Sequence, residues 1–265
     1  MQRQLFSRLF SQQFISVFAA VSLGLAIIPS LPVKAEKSSS QQTSVSVAFQ
    51  PPAGQGMPHR TAGGASRTGN NCPVLSTDQT QLTALVPALL KPDDIRSNLT
   101  GLTTEATPTF YFFVPEMAAR EGAFSLKDEN DKDVYQTRLT LSGKTGIVSV
   151  KLPPDAPLKV GQSYRWSFGL VCQARSSQQQ PEIVFVTGEI RRVEADAAVS
   201  DQIRQLTPLE RAAVYAQNGI WFESLEILAD LRRTQPNDSM LASKWEELLQ
   251  SVGLEEIARQ PFINR

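Results

Sequence analysis

The chain has 265 residues, with 26 basic residues, 26 acidic residues and a single histidine. This balance argues against nucleic-acid binding, which needs a basic surface to neutralise phosphates. The length allows one or two domains. The one histidine leaves His59 as the sole candidate base for a Ser-His-Asp triad, which essentially excludes that chemistry.

Residues 1–35 have the pattern of a secretory signal peptide. Arg3 and Arg8 precede an uncharged, mostly apolar run of 15 residues at 14–28, and Val33-Lys34-Ala35 has the small-x-small form of a cleavage site. A retained membrane anchor is the alternative, but a spanning helix needs about 20 apolar residues. We therefore expect an exported protein, periplasmic or extracellular, that is not inserted in the membrane after cleavage. Cleavage would leave 23 basic and 26 acidic residues.

Residues 36–70 are rich in Ser, Gln, Thr, Gly and Pro and contain few large apolar residues. Such a segment buries too little surface to offset its chain entropy, so we predict a disordered linker. His59 lies in this linker, where a solvated side chain is the expected state rather than a ligand or a catalytic base.

Both cysteines, Cys72 and Cys172, follow the predicted signal peptide. An even number of cysteines in an exported chain favours a disulfide, which would close a loop of about 100 residues and contribute roughly 4.7 kcal/mol in the chain-entropy model. Two buried free thiols are the alternative.

Residues 71–194 show the period-two alternation of β-strands. The segment at 109–115 is apolar on both faces, as in a strand buried in the middle of a domain. In the segment 164–172, the alternation puts Trp166 on the same face as Cys172. This predicts a core position for Trp166. About seven strands are expected, at 82–87, 109–115, 123–128, 133–141, 147–152, 164–172 and 182–193. This pattern predicts an antiparallel β-sandwich, immunoglobulin-like or similar.

Residues 195–265 have a helical period. Thr207 and Glu210 form a predicted capping box around Pro208, and Gly219 supplies a left-handed stop. Helices are expected at about 195–206, 208–218, 221–234 and 240–251. The predicted architecture is therefore α+β, with a small C-terminal helical tail after the sandwich.

This tail resembles one tetratricopeptide repeat with a capping helix. Gly219 and Gly253 are 34 residues apart, which is the period of that repeat. Leu231 and Pro208 depart from the pattern. The matching positions around Gly219 are Tyr215, Ser224, Leu228 and Pro236, and Ala258 matches after Gly253.

A partner surface on the tail is one hypothesis. Tetratricopeptide grooves that hold a C-terminal carboxylate use Lys and Asn where this chain has Leu209 and Ala213, so no carboxylate clamp is expected. These apolar side chains either pack on the β domain or a second copy, or line an exposed groove. Trp221 and Phe222 either belong to the same candidate surface or staple the helices together.

Candidate sites for metal or acid-base chemistry are weak. Residues 127–133, "KDENDKD", fail the ligand spacing of an EF-hand, so a hairpin turn is predicted and a weak calcium site is the alternative. Acidic residues are numerous, but no pair stands out as glycosidase carboxylates. No cofactor is expected.

The order of motifs along residues 70–259 resembles a known family. The motifs are "NCPVL", "LTALVP", "PTFYFFVP", "FSLKDENDKDVYQTRLTL", "GIVSVKLPPDAPLKVGQSYRWSFGLVC", "GEIRRVE", "TPLERAAVYAQNGIWFESLEILADLRR" and "WEELLQSVGLEEI". They resemble the cyanobacterial family known as domain of unknown function 928. The resemblance implies an exported cyanobacterial protein and implies no activity or site residues.

Together these patterns favour a non-enzymatic binding or scaffolding module of the cell envelope, whose partner is a protein or another envelope component. One alternative is an envelope enzyme that acts on glycans through carboxylates. Another is a structural domain that forms a homodimer through the helical tail.

Overall fold

The computed structural model describes residues 45–53, 81–91, 94–117, 119–172 and 182–263. The described chain is mixed α+β, with two sheets followed by four helices. The predicted signal peptide, residues 1–35, lies outside the described residues. The strands are β1 Thr83–Ala84, β2 Ala88–Lys91, β3 Asp94–Thr103, β4 Thr109–Val114, β5 Glu121–Lys127, β6 Asp133–Thr140, β7 Gly146–Lys151, β8 Ser163–Cys172 and β9 Glu182–Arg192.

The strands form a three-stranded sheet in the order β1-β4-β7 and a six-stranded sheet in the order β2-β3-β9-β8-β5-β6. Most neighbours are antiparallel, as the alternation predicted. The exception is β3, which pairs with β9 in parallel, with Gly101 opposite Ile190. Antiparallel pairing throughout was therefore the wrong expectation for this one pair.

The strand β4 is the centre of the core, and all six of its residues are buried. Phe110 and Phe112 face the six-stranded sheet. The ring of Phe112 stacks on that of Phe168 from β8, with 4.2 Å between centroids. Tyr111 points the other way, toward Phe262. The prediction that this segment is buried on both faces is confirmed.

The strand β8 alternates as its sequence indicated. Tyr164, Trp166, Phe168, Leu170 and Cys172 are all buried, which confirms their shared face and the core position of Trp166. The intervening side chains point to the opposite face of the six-stranded sheet, because successive strand residues alternate between faces.

Strands β2 and β3 were not predicted. The segment at 91–101 is largely polar and shows no clean alternation of apolar residues. Its strand conformation depends on backbone pairing, to β2 on one side and to β9 on the other. The pairing to β9 joins residues about 90 positions apart, which no local pattern reports.

The helices are α1 Ala197–Ile203, α2 Pro208–Gln217, α3 Trp221–Thr234 and α4 Ser239–Gln250. Thr207 and Glu210 form the predicted capping box at the start of α2. Gly219 and Gly253 both have left-handed backbone conformations, with φ of 73° and 75°. The expected helix positions are confirmed to within a few residues.

The helices share one core with the sheets. Phe222 on α3 packs against Phe110 on β4, with ring centroids 5.3 Å apart. The indole Nε1 of Trp221 donates a hydrogen bond to the carbonyl of Leu85 at 2.8 Å. All described residues belong to one compact unit, Thr43–Arg265. The expected boundary at residue 194 is thus a change of secondary structure within a common core.

The predicted linker, residues 36–70, requires a correction. Residues 45–53 pack on the helices, with Val47 0% and Phe49 2% exposed. The segment 45–49 has apolar residues at alternate positions, but it is too short to change the average composition of residues 36–70. Residues 36–44 and 54–70 lie outside the described residues.

The end of the chain covers one edge of the three-stranded sheet. The amide of Ile147 on β7 donates to the carbonyl of Pro261 at 2.7 Å, and the amide of Ile263 donates back to the carbonyl of Ile147 at 3.0 Å. Covering an edge in this way limits unwanted strand pairing. None of the helices in the described part of the chain is long and apolar enough to cross a membrane.

Candidate functional site

A groove of about 820 Å³ lies on the outer side of the six-stranded sheet, away from the core. It crosses the strands β6, β5, β8 and β9. We refer to it as the sheet-face groove. Its outward-facing residues are Ala123, Ser125, Gln136, Arg138, Ser167, Gly169, Ile183, Phe185 and Thr187.

Strand register arranges these side chains in rows. One row runs Arg138, Ala123, Gly169 and Phe185 across β6, β5, β8 and β9. The next row runs Gln136, Ser125, Ser167 and Thr187 in the same strand order. The two middle strands of these rows, β5 and β8, therefore carry only Ala, Ser and Gly, whereas the flanking strands carry the larger Gln136, Arg138 and Phe185. This difference in size makes the face concave.

Gly169 has no side chain, which lets Ile183 and Phe185 on β9 lie close to the surface of the sheet. A Cβ at this position would stand 2.7 Å from Cγ2 of Ile183 and 3.5 Å from Cβ of Phe185. Ile183 and Phe185 are nevertheless 47% and 37% exposed. Large exposed apolar side chains that lie together beside a concavity are typical of binding surfaces.

The polar groups of the groove are partly paired. The hydroxyls of Ser125 and Ser167 are hydrogen-bonded to each other at 2.8 Å across β5 and β8. Arg138 donates to the carboxylate of Glu121 at 2.6 Å, and both side chains remain accessible to solvent. The groove thus joins an apolar wall on β9 to a polar wall on β6.

This arrangement is suited to non-covalent recognition. An apolar group of a ligand can bury against Ile183 and Phe185 while polar groups bond to Gln136, Arg138 or Thr187. Burial of apolar surface is favourable by roughly 25 cal/mol per Å². The described lining residues supply no Asp, Glu, Cys or His for acid-base or nucleophilic chemistry.

The partner surface predicted on the tail is not exposed. Trp221 is 0% exposed, and Phe222 and Ala213 are also buried. Leu209 is half-buried and packs against the same core. These side chains hold the helices to the sheets and to the segment 45–53. They cannot form the exposed surface that the sequence suggested, because tertiary packing covers them.

Glu223 is the one buried carboxyl of the helices. Its Oε1 accepts hydrogen bonds from the hydroxyls of Thr103 and Thr104 at 2.8 and 2.9 Å and from the amide of Glu105 at 2.9 Å. Burial raises the pKa of Glu223, although the hydrogen bonds from Thr103 and Thr104 oppose the shift. Its Oε2 is buried without a partner. The hydrogen bonds to Glu223 connect α3 to the end of β3.

The acidic stretch 127–133 forms the hairpin turn between β5 and β6, as predicted. The Oδ1 of Asp128 accepts from the amides of Asn130 and Lys132 at 2.9 and 3.0 Å, and Asp131 adopts φ of 63°. Asp131 also pairs with Arg165. Among the described residues, no three His, Cys, Asp or Glu side chains are grouped as metal ligands.

The predicted disulfide stays a prediction. Cys172 is buried at the end of β8. Its expected partner Cys72 lies outside the described residues, as does His59.

The sequence contains one local signal of the sheet-face groove. Residues 183–186, "IVFV", are apolar on both faces of a strand that buries only one of them in the core. The neighbouring strands place Ala, Ser, Ser and Gly at the matching outward positions. Which of these residues are neighbours depends on the strand order, so the groove itself could not be inferred.

The comparisons with known proteins identify a family and no activity. The family model described as Domain of Unknown Function (DUF928) matches residues 62–262. No curated protein matches the chain. Among solved structures, CopC from Methylosinus trichosporium OB3b is similar at 14% identity and a TM-score of 0.25, over 37% of this chain and 88% of that one.

Two glucuronidase structures are similar at the same TM-score. The apo β-glucuronidase 3 of Bacteroides uniformis is 7% identical over 69% of this chain and 27% of that one, with a TM-score of 0.25. The β-glucuronidase of Parabacteroides merdae is 9% identical over 73% of this chain and 29% of that one, with a TM-score of 0.25. The chain thus spans less than a third of either enzyme. Likenesses at this TM-score support no conclusion about function.

Proposed function

Since this chain belongs to the family described as Domain of Unknown Function (DUF928), which names no activity, we propose that it is an exported, non-enzymatic binding module of the cell envelope. Its recognition surface is the sheet-face groove. The partner is a protein or another envelope component that presents an apolar group beside polar ones.

The single observation that carries this proposal is the exposure of Ile183 and Phe185 on a concave face. Both side chains lie next to Gly169 on a strand whose other face is in the core. Placing Ile and Phe outward costs solubility without adding to the core. A partner that binds here would remove both side chains from water, which is energetically favourable.

Export is supported by the signal-like sequence of residues 1–35 alone. If the predicted signal peptide is removed, the mature chain begins near residue 36, shortly before the segment that packs on the helices. The proposed location is the periplasm or the outside of the cell.

We also propose that the fold is a β-sandwich with a tetratricopeptide-like hairpin. Because aromatic rings from the two sheets meet across the core, we describe the sheets as the layers of a β-sandwich. We describe α2 and α3 as a tetratricopeptide-like hairpin, supported by the left-handed Gly219 and Gly253 at the period of that repeat.

Site-specific photo-crosslinking tests the proposed surface. A photoreactive residue at Thr187, which is exposed in the groove, should give a discrete adduct when the full chain is incubated with the native envelope fraction. The same residue at Val160, which is 50% exposed and is not among the residues that line the groove, is the matched control position.

The decisive comparison combines the probe with surface variants. Ile183→Ser and Phe185→Ser together should reduce the yield of the Thr187 adduct at least about tenfold, because they remove the apolar wall. They should leave the thermal midpoint nearly unchanged, since exposed side chains contribute little to stability. An adduct that forms equally from Val160, or that survives both substitutions, would remove the sheet-face groove as the recognition surface.

The enzymatic alternative requires two acidic side chains that face one groove. The described lining of the sheet-face groove offers none, so this groove supports binding rather than carboxylate catalysis. Turnover of wall or capsule polysaccharide by the purified protein would reverse this preference, if the turnover disappears on replacing one carboxylate pair.

The dimerisation alternative rests on the helices. Met240 on α4 is 52% exposed and is the large apolar side chain that the tail presents to solvent. A dimer formed through this face should dissociate in Met240→Glu, which sedimentation velocity measures. Deleting the tail is not a valid test, because Trp221 and Phe222 belong to the common core.

A further inference from the structure

Residues 45–53 bind the helices as an extended peptide would. The amide of Val47 donates to Oε1 of Glu247 on α4 at 3.1 Å, and the amide of Phe49 donates to Oγ of Ser251 at 2.9 Å. The amide of Gln50 donates to the carbonyl of Ala216 at 3.0 Å. Main-chain hydrogen bonds of this kind provide affinity for extended peptides in many recognition modules.

The Ser46 residue adds two further contacts. Its hydroxyl donates to Oε1 of Glu247 at 2.6 Å, and its carbonyl accepts from Nε2 of Gln217 at 3.3 Å. Glu247 therefore receives both a side-chain and a main-chain donor from the segment. The pKa of Glu247 is lowered by hydrogen bonds from Lys244, Ser46 and Val47, which outweigh partial burial. Its carboxylate is thus a charged acceptor for the segment.

Alternate side chains of the segment provide the apolar contacts. Val47 and Phe49 are buried, whereas Ser46 and Gln50 are exposed. The ring of Phe49 meets the indole of Trp221 edge to face, with 5.3 Å between centroids. Gly219 permits the close approach of Pro52, since a Cβ on Gly219 would stand 2.9 Å from Cγ of Pro52. The ligand chemistry is therefore a Val-x-Phe segment that is followed, one residue later, by two prolines.

The covalent connection does not force this position. The 29 residues 54–82 separate the segment from the strand β1, and the 18 residues 54–71, which precede the predicted disulfide at Cys72, can by themselves extend to about 60 Å. The contacts on the helices lie about 170 to 200 residues away in the sequence. An identical segment from another molecule can make the same contacts, which is the basis of exchange between protomers.

We propose that α2, α3 and α4 form a peptide-binding groove, that residues 45–53 are its ligand, and that the same segment of a second copy of this chain can replace it. This helix groove is separate from the sheet-face groove and does not depend on its function. The helix groove binds the main chain of an internal segment and not a chain terminus. This agrees with the lack of a carboxylate clamp at Leu209 and Ala213.

Replacement of the segment can be measured in the full chain. A protease site inserted between Gly63 and Gly64 lets the chain be cut without touching the described residues. The cut protein is unfolded in urea and refolded with an excess of a fluorescent peptide of residues 45–53, so that slow dissociation cannot hide the exchange. The uncut chain, refolded in parallel, is the control for folding.

The expected result is that the peptide co-elutes with the refolded protein in proportion to its excess over the cut fragment. A Phe49→Ser peptide should compete on the order of 100-fold less well, because a buried aromatic contact is lost. A Gln50→Ser peptide should compete within about twofold of the native peptide, since the Gln50 side chain is exposed and its amide is kept.

Three results would overturn the proposal. The first is a cut protein that refolds without the labelled peptide bound, and the second is a Phe49→Ser peptide that competes as well as the native one. The third is a cut protein that stays unfolded with the peptide while the uncut chain refolds, since this would mean that the segment acts only when covalently attached.

Discussion

The carboxyl of Glu223 on α3 accepts a hydrogen bond from the hydroxyl of Thr103 on β3, with 2.8 Å between Oε1 and Oγ1 in a buried site. The two residues are 120 positions apart in the sequence. This bond, with those from Thr104 and Glu105, fixes the first turn of the helix to the end of a strand. The helical tail and the sheets are therefore expected to unfold together.

The charge of Glu223 should make stability depend on pH. Burial raises its pKa above the usual 4.5, so the folded chain keeps the proton to a higher pH than the unfolded chain does. The folded state then binds more protons, and its stability falls as the pH rises above about 4.5.

The variant Glu223→Gln isolates this effect, because it keeps an oxygen acceptor and removes the charge. The free energy of unfolding of the native protein should fall relative to Glu223→Gln by up to about 1.4 kcal/mol per pH unit within the titration range. Urea unfolding of both proteins between pH 4.5 and pH 7.5 measures the difference. Parallel curves would show that Glu223 has the same pKa in both states.

Trp221 should be essential for stability rather than for a surface contact. Trp221→Ala should cost about 3 to 5 kcal/mol, because it empties a fully buried position. Trp221→Phe retains a ring but leaves the carbonyl of Leu85 without the indole donor, at a cost of about 1 to 3 kcal/mol. Thermal unfolding followed by circular dichroism tests this order. Equal midpoints for Trp221→Ala and the native protein would contradict the buried position.

The proposed export favours a disulfide between Cys72 and Cys172. Peptide mapping by mass spectrometry without reduction should recover the two cysteines in one linked species. Cys72→Ser, which leaves the buried Cys172 in place, should lower stability by about 2 to 5 kcal/mol. A stability unchanged by this substitution and by reducing agent would favour two thiols instead.

Gly169 should determine access to the sheet-face groove. Gly169→Val introduces a Cβ close to Ile183 and fills the floor of the groove, so the Thr187 adduct should fall at least about tenfold. The destabilisation should be about 1 to 3 kcal/mol, since the displaced atoms belong to an exposed side chain. Ala123→Ser, in the same row on β5, is the matched control. If Gly169→Val leaves the adduct unchanged, the partner does not enter the groove.

Much of the local structure could be predicted because its causes lie within a few residues. The capping box of Thr207 and Glu210, and the left-handed Gly219, are local backbone chemistry, and the helices begin and end where these signals occur. The alternation in β8 similarly identified the buried face that contains Trp166. The family was also evident from motifs distributed over most of the chain.

The candidate sites followed from tertiary contacts that no local pattern contains. Composition predicted a disordered linker across residues 45–53, yet the helices bury Val47 and Phe49 from about 200 positions away. The same packing removed Trp221 and Phe222 from the surface. The sheet-face groove exists because strand order brings small residues of β5 and β8 beside Phe185 of β9. The sequence by itself determined the helices, most of the strands and their apolar faces. The tertiary structure decided the strands β2 and β3 and which apolar faces pack together, because strand pairing and burial join segments that are far apart in the chain.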